Sequence, residues 1–281
     1  MKICPTIDDM RAASRQARHP GKRLGFVPTM GALHEGHLSL VRAAKAKCDV
    51  VAVSIFVNPL QFGPTEDLAK YPRSFECDRE LLERESVDIL FVPAGEEMYA
   101  AGAVTYVTVE GLSEKLCGKS RPGHFRGVTT VVAKLFHIVE PDLAFFGQKD
   151  AAQSTIIRRM VRDLNLPVEI VVCPIVREAD GLAMSSRNAY LSPEERKSAL
   201  VLHRCLLQGK HLFDQGERNA IELISAGKQV LRQEPAVRLD YFEIVDPSSL
   251  DPIQELTSTG LAAVAAFVGS TRLIDNILLG T

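Results

Sequence analysis

Short apolar runs rich in Val, Ile and Phe alternate with segments of helical spacing through the first two thirds of this chain. Residues 24–28, 50–57, 88–92, 104–109, 142–146 and 168–173 read as strands. Between them, residues 36–47, 77–85, 128–139 and 149–164 read as helices; in the first of these Leu38, Val41, Ala44 and the following Cys48 fall on one stripe. Strand-then-helix repetition joins parallel strands, and continuously apolar strands are buried on both faces. The pattern therefore predicts an α/β fold, a parallel sheet with helices on both faces.

The pattern changes near residue 175. Residues 193–215 and 219–232 read as two consecutive helices, the first opened by Ser192-Pro193-Glu194-Glu195. Serine suits the N-cap, proline the first turn, and acids the positive end of the helix dipole. Three strands follow, at 238–245, 261–268 and 272–278. Helices followed by strands predict a separate unit, so the expected organisation is a Rossmann-like domain over 1–175 and a smaller α+β domain over 176–281.

Composition removes several function classes. Lys and Arg number 33 against 35 Asp and Glu, a net charge of −2, with no dense basic block. That disfavours nucleic acid as a partner. Residues 1–20 lack the apolar core of a signal peptide, and the most apolar runs, 50–57 and 261–268, are about half the ~20 residues a spanning helix needs. No membrane association is expected. Six cysteines are scattered without a C-x-x-C pair, which argues against a zinc ribbon or a disulfide scaffold and reads as reduced thiols in a cytoplasmic protein.

The chemistry is expected after the first strand of the repeat. There Pro28-Thr29-Met30-Gly31-Ala32-Leu33-His34-Glu35-Gly36-His37 joins a strand to a helix, where open parallel sheets bind their ligands. Gly31 and Gly36 permit close backbone approach. His34 and His37 stand three apart and share a helix face, a spacing that excludes the H-E-x-x-H zinc signature. Two such histidines suit a helix cap as well as a ligand. Their place beyond the strand favours the ligand.

H-x-G-H in this position resembles the HIGH motif of nucleotidyltransferases and class I tRNA synthetases, which bind ATP and direct attack at its α-phosphate. Ala183-Met184-Ser185-Ser186-Arg187 resembles the later Met-Ser loop of such proteins; its hydroxyls and guanidinium suit phosphate. Residues 56–62 (FVNPLQF), 121–127 (RPGHFRG), 146–150 (FGQKD) and 272–276 (RLIDN) narrow the resemblance to the pantothenate synthetase family, with matches from residue 28 to 276 in one order. Cys77 departs from the family, which usually has a polar or charged residue there.

The resemblance implies condensation of pantoate with β-alanine through a pantoyl adenylate, with ATP giving AMP and pyrophosphate. It implies an ATP set of Met30, Gly31, Ala32, Leu33, His34, Glu35, Gly36 and His37, continued by Gly147, Gln148, Lys149 and Asp150, then Val176, Met184, Ser185, Ser186 and Arg187. His37, His34, Lys149 and Arg187 carry the catalytic expectation. Gln61 and Gln153 would hold the pantoate hydroxyls, and Gln61 also β-alanine. Phe56 and Phe62 would pack the geminal methyls, while Arg121 and His124 are candidates for the β-alanine carboxylate. Mg²⁺ is implied by ATP, with no protein ligand nameable, as are a homodimer and a second domain that acts as a lid. Two other classes fit H-x-G-H: an adenylyltransferase acting on a phosphorylated acceptor, which has no need of Gln61, Gln153 or an amine site, and a nucleotide sensor, which gains nothing from Lys149 and Arg187.

Overall fold

The computed structural model describes residues 1–18, 21–64 and 66–280. The chain divides into two compact units. The first holds Met1–Ser113, Arg121–Gly147 and Ile156–Pro174; the second holds Glu114–Ser120, Gln148–Thr155 and the chain from Ile175 onward. Residues 114–120 and 148–155 thus leave the 1–175 domain expected from sequence. Hydrogen bonds explain the transfer: Lys115 Nζ donates to Asp251, Thr155 Oγ1 to the Pro247 carbonyl, and Asn276 Nδ2 to the carbonyls of Gln148 and Lys149.

The first unit contains a six-stranded, wholly parallel sheet. Its elements are β1 (Lys2–Cys4), α1 (Ile7–Ala17), β2 (Leu24–Thr29), α2 (Glu35–Lys47), β3 (Val50–Ile55), α3 (Phe75–Arg84), β4 (Ile89–Phe91) and α4 (Gly95–Met98). After α5 (Cys117–Ser120), which belongs to the second unit, come α6 (His124–Val139), β5 (Leu143–Gly147), α7 (Ala151–Asp163), whose first turn also belongs to the second unit, and β6 (Glu169–Cys173). Strand order is β1-β4-β3-β2-β5-β6. From β2 the chain moves one way to β3 and β4, and then back across to β5. Right-handed crossovers in opposite directions place α2 and α3 on one face and α6 on the other. On the α2 face, Val41, Ala44 and Leu82 pack with Val27, Val51, Val53 and Phe145.

Two expectations fail here. Residues 104–109 form no strand. Their Val107 N–H donates to Thr130 Oγ1 and their Val107 carbonyl accepts from Thr129 Oγ1, so side chains of α6 take the bonds that a neighbouring strand would have supplied. Conversely, β1 and α1 lie within the N-terminal residues left without elements, and Thr6 caps α1 by accepting the Asp9 N–H.

The second unit carries an antiparallel sheet of β7 (Val237–Val245), β8 (Gly260–Val268) and β9 (Thr271–Leu279), with β8 central. The helix expected over 193–215 is two helices, α8 (Pro193–Ala199) and α9 (Val201–Asp214), meeting at Leu200; α10 (Ala220–Leu231) follows. Ser192 and Glu195 close the capping box of α8. Leu202, Cys205, Leu206 and Leu223 pack with Ile244, Ala262, Val264 and Ala266. Burial pushes the Cys205 thiol up to about 12, as suits an inert core filler. Among the described residues no helix is long and apolar enough to cross a membrane.

Candidate functional site

In the first unit the strand order reverses direction at β2, and crevices at such points bind ligands. The turn after β2 is held from two sides. Thr29 Oγ1 donates to the Ser54 carbonyl and accepts the Gly31 N–H at 3.2 Å. Asp78, 2 % exposed, accepts the N–H groups of Ala32 and Leu33, each at 2.8 Å, and the Ser74 hydroxyl. Gly31 sits at φ +80°, and a Cβ there would lie 2.9 Å from Asp78 Oδ2, so both conformation and space call for glycine. Sequence reasoning missed Asp78. Its signal was faint: a carboxylate occupying the buried stripe of α3 that Leu82 shares.

The turn delivers the chain to α2, where His34 is the N-cap. His34 Nδ1 accepts the Gly36 N–H at 3.2 Å, and the His34 N–H points to His37 Nδ1 at 3.4 Å. The two rings stand 4.2 Å apart. Capping and ligand binding are therefore compatible uses of these histidines. With both Nδ1 atoms accepting, each neutral ring carries its proton on Nε2 and donates from there. Backbone N–H groups and the positive end of a 13-residue helix add to this donor set.

Gln61 is fixed by a neighbour whose role the sequence did not reveal. Asn58, 1 % exposed, donates from Nδ2 to Gln61 Oε1 and to the Gly127 carbonyl, both at 3.1 Å. Its Oδ1 accepts from Tyr99 Oη and from the Leu60 N–H. Gln61 Nε2 is thereby directed to Met30 Sδ at 3.0 Å, joining this turn to the one after β2. Gly127 must lack a side chain, because a Cβ there would meet the Leu60 carbonyl oxygen at 2.3 Å. Phe56 is buried and its ring lies near Tyr99; Phe62 meets Tyr71 edge-on.

Arg121 and His124 are tied into the same loop. Arg121 pairs with Glu66 through Nε and Nη2 at 2.8 and 2.6 Å, and its Nη1 reaches His124 Nε2 at 3.0 Å. His124 Nδ1 lies 2.8 Å from the Gln61 carbonyl, so it donates there and accepts from Arg121 at Nε2. Burial alone would raise the Glu66 carboxyl, but the hydrogen bond and charge of Arg121 outweigh it and hold Glu66 below the usual range.

The second unit gathers another group of expected residues. Gln148–Asp150 form a 3₁₀ turn in which Lys149 Nζ lies 3.8 Å from Asp150 Oδ1, and Gln153 follows, half-buried, on the first turn of α7. Val176 and Met184 close a hairpin: the Met184 N–H donates to the Val176 carbonyl at 3.0 Å, and Arg177 bridges to Ala183. Val176 therefore already spends a carbonyl lone pair internally. Ser185 caps the short turn Ser186–Tyr190 by accepting the Arg187 N–H at 3.3 Å. A cavity of about 10 Å³ is lined by Lys149, Ser185, Asn188 and Asp275. Asn276 holds the Lys149 turn, a role its motif did not disclose. Among the described residues no three His, Cys, Asp or Glu side chains are grouped to hold a metal ion.

Known proteins resemble this chain along its whole length. A family model described as pantoate-beta-alanine ligase matches residues 2–278. A pantothenate synthetase of Acidobacterium capsulatum is 61 % identical, the match covering 100 % of this chain and 97 % of the relative. The crystal structure of a pantothenate synthetase from Thermus thermophilus superposes with a TM-score of 0.94 at 50 % identity, covering 99 % of each chain. A Francisella tularensis pantoate-beta-alanine ligase complexed with beta-gamma ATP and beta-alanine matches with a TM-score of 0.82 at 35 % identity, covering 99 % of this chain and 97 % of that one.

Proposed function

The chain belongs to the pantoate-beta-alanine ligase family, and from that membership we infer how its own residues join pantoate to β-alanine at the expense of ATP. A carboxylate is a poor acyl donor because oxide is a poor leaving group. In the first step a pantoate carboxylate oxygen bonds to the α-phosphorus and the bond to the β-phosphate bridge breaks, releasing pyrophosphate. In the second, the β-alanine amine bonds to the acyl carbon, the bond to the phosphate oxygen breaks, AMP leaves and the amine loses a proton. The first step brings an anion towards a polyanion, so the protein must supply donors and positive charge.

His34 and His37 meet that need in the first unit, each neutral ring donating from Nε2 at the N-terminus of α2. Lys149, Ser185, Ser186 and Arg187 of the second unit are assigned to the phosphates, and Asp150 to a ribose hydroxyl. Met30 and its neighbours lend backbone donors, and Val176 faces adenine through its backbone. Gln61, held by Asn58, and Gln153 are assigned to the pantoate hydroxyls. Gln61 also serves β-alanine. Arg121 keeps Glu66 as its partner and His124 spends its ring nitrogens on Arg121 and the Gln61 carbonyl, which suits both to shape the Gln61 loop that serves the β-alanine site. Mg²⁺ enters this reading on phosphate oxygens and waters, so that few protein ligands are required. A homodimer, a cytoplasmic location and a covering role for the second unit complete it.

One observation carries the assignment: both Nδ1 atoms are spent on the cap of α2, at the reversal point of the sheet. The test is exchange of labelled pyrophosphate into ATP. Exchange with pantoate alone, and AMP release in multiple turnovers only with both pantoate and β-alanine, is the expected result. Exchange requiring a phosphorylated acceptor would favour an adenylyltransferase. ATP binding without exchange or turnover would favour a sensor.

A further inference from the structure

The Lys149 turn and the Val176–Met184 hairpin are both fastened to the same two consecutive residues of β9. Asn276 is 3 % exposed, and its carboxamide is almost fully used. Its Nδ2 donates both hydrogens, to the Gln148 carbonyl at 3.0 Å and to the Lys149 carbonyl at 2.9 Å; its Oδ1 accepts from Gln148 Nε2 at 3.0 Å. Asp275, 4 % exposed, accepts the Asn276 N–H through Oδ1 at 2.7 Å. The same carboxylate receives Arg177 in a two-pronged pair at 2.7 and 2.9 Å. Arg177 Nη1 also donates to the Gly181 carbonyl at 3.0 Å, across its own hairpin.

Hydrogen bonding of this kind leaves little freedom. A buried amide with each donor satisfied has one orientation, and a forked guanidinium–carboxylate pair fixes angle as well as distance. The β-ladder does not depend on these side chains, because β9 is in register with β8 along its whole length, Thr271–Leu279. Hydrophobic packing of β9 against the helices uses Leu273 and Leu279 instead. The polar work of Asp275 and Asn276 is therefore directed at the two loops.

We propose that Asn276, with Asp275 and Arg177 behind it, is a positioning residue that sets the Lys149 turn and the Val176–Met184 hairpin as one pre-formed frame for ATP. The proposal rests on the assignment of Lys149 to the phosphates. Asn276→Asp tests it, since the replacement is nearly isosteric but turns two donors into acceptors facing carbonyl oxygens. Loss of such bonds is expected to raise the KM for ATP and slow adenylate formation by about tenfold to a hundredfold. The reaction of preformed pantoyl adenylate with β-alanine, in which no pyrophosphate leaves, should stay within about twofold of wild type on the same grounds.

Three comparisons make the outcome decisive. Val264→Ala, in the core between β8 and the helices, should lower Tm while leaving the ATP KM unmoved. Lys149→Ala should slow adenylation, and adding Asn276→Asp to it should cost less than the product of the separate effects. If Lys149→Ala adenylates at the wild-type rate, the phosphate assignment falls; if it is slow while Asn276→Asp keeps a wild-type ATP KM and rate, the frame falls. Should Asn276→Asp not fold, hydrogen exchange of the wild type decides. The amides of Glu178 and Met184, bonded to the Leu182 and Val176 carbonyls, must be protected without ATP, and free exchange there would overturn a pre-formed frame.

Discussion

The two groups of expected phosphate-handling residues are built in opposite ways. In the first unit, strand, turn, cap and helix follow one another in sequence, and His34 and His37 fasten each other across three residues. In the second unit the Lys149 turn is fastened by Asn276, 127 residues further on. Short-range architecture forms whenever its strand and helix form. Long-range architecture exists only once the β7–β8–β9 sheet has assembled. The comparison predicts that substitutions in the first group alter chemistry with the scaffold intact, whereas those in the second couple chemistry to the stability of a whole unit.

The largest expected effect belongs to His37. His37→Ala should lower the single-turnover adenylation rate by about 10²–10³, the usual loss for one donor that strengthens as charge develops. ATP affinity, read by calorimetry, should change far less, and a near-normal rate would remove His37 from the phosphate role. Lys149→Ala and Arg187→Ala should each slow adenylation too, with a double variant less impaired than the separate penalties combined, because groups acting on one triphosphate are non-additive.

Asp78→Asn breaks the local side of the comparison at a long-range element, a carboxylate 46 and 45 residues from the amides it accepts. Leaving the N–H groups of Ala32 or Leu33 without a carboxylate acceptor should destabilise the protein by about 1–3 kcal/mol. Urea unfolding measures that loss, and adenylation should slow with it, because the turn that presents His34 loosens. Gln153→Ala is expected to weaken pantoate binding by about 1–3 kcal/mol and leave ATP binding near wild type. Equal losses for both ligands would mark a general packing role.

The smallest effect is a pH dependence confined to the second unit. Burial, and then the charge of Arg177, lowers the His203 pKa below its ordinary value, against a smaller opposing pull from Asp275. The folded state thus keeps His203 neutral where the unfolded chain would protonate it. Its contribution to stability is present above the unfolded pKa of about 6.5 and is lost as pH falls from there through the lower folded value. Denaturant midpoints at pH 7.5 and 5.5 should differ less in His203→Gln than in wild type. An unchanged difference would show that His203 does not carry this pH dependence.

Local signals made much of the first unit legible. The Leu24–Thr29 strand, the Glu35–Lys47 helix and the turn between them announce themselves through periodicity and glycine, and H-x-G-H lies at their junction. Residues 104–109 have the alternation of a strand, yet threonines of α6 occupy the Val107 backbone groups. Alternation reports what a segment can pair with, and a neighbour must still be present. Asn58 shows the same limit at the site: its motif was visible, but its grip on Gln61, Gly127 and Tyr99 depends on segments far apart in the chain.

Side-chain spacing alone determined the parallel α/β sheet, the change of architecture near residue 175 and the pairing of His34 with His37, because each depends on residues within a few turns of one another. Tertiary structure decided that 148–155 joins the second unit, that Asp78 sits beneath the turn after β2, and that Asn276 faces two carbonyls of the Lys149 turn. Those outcomes turn on buried polar groups finding partners across the chain. A lone Asp or Asn carries no periodic mark of its partner, and only the folded chain brings donor and acceptor within about 3 Å.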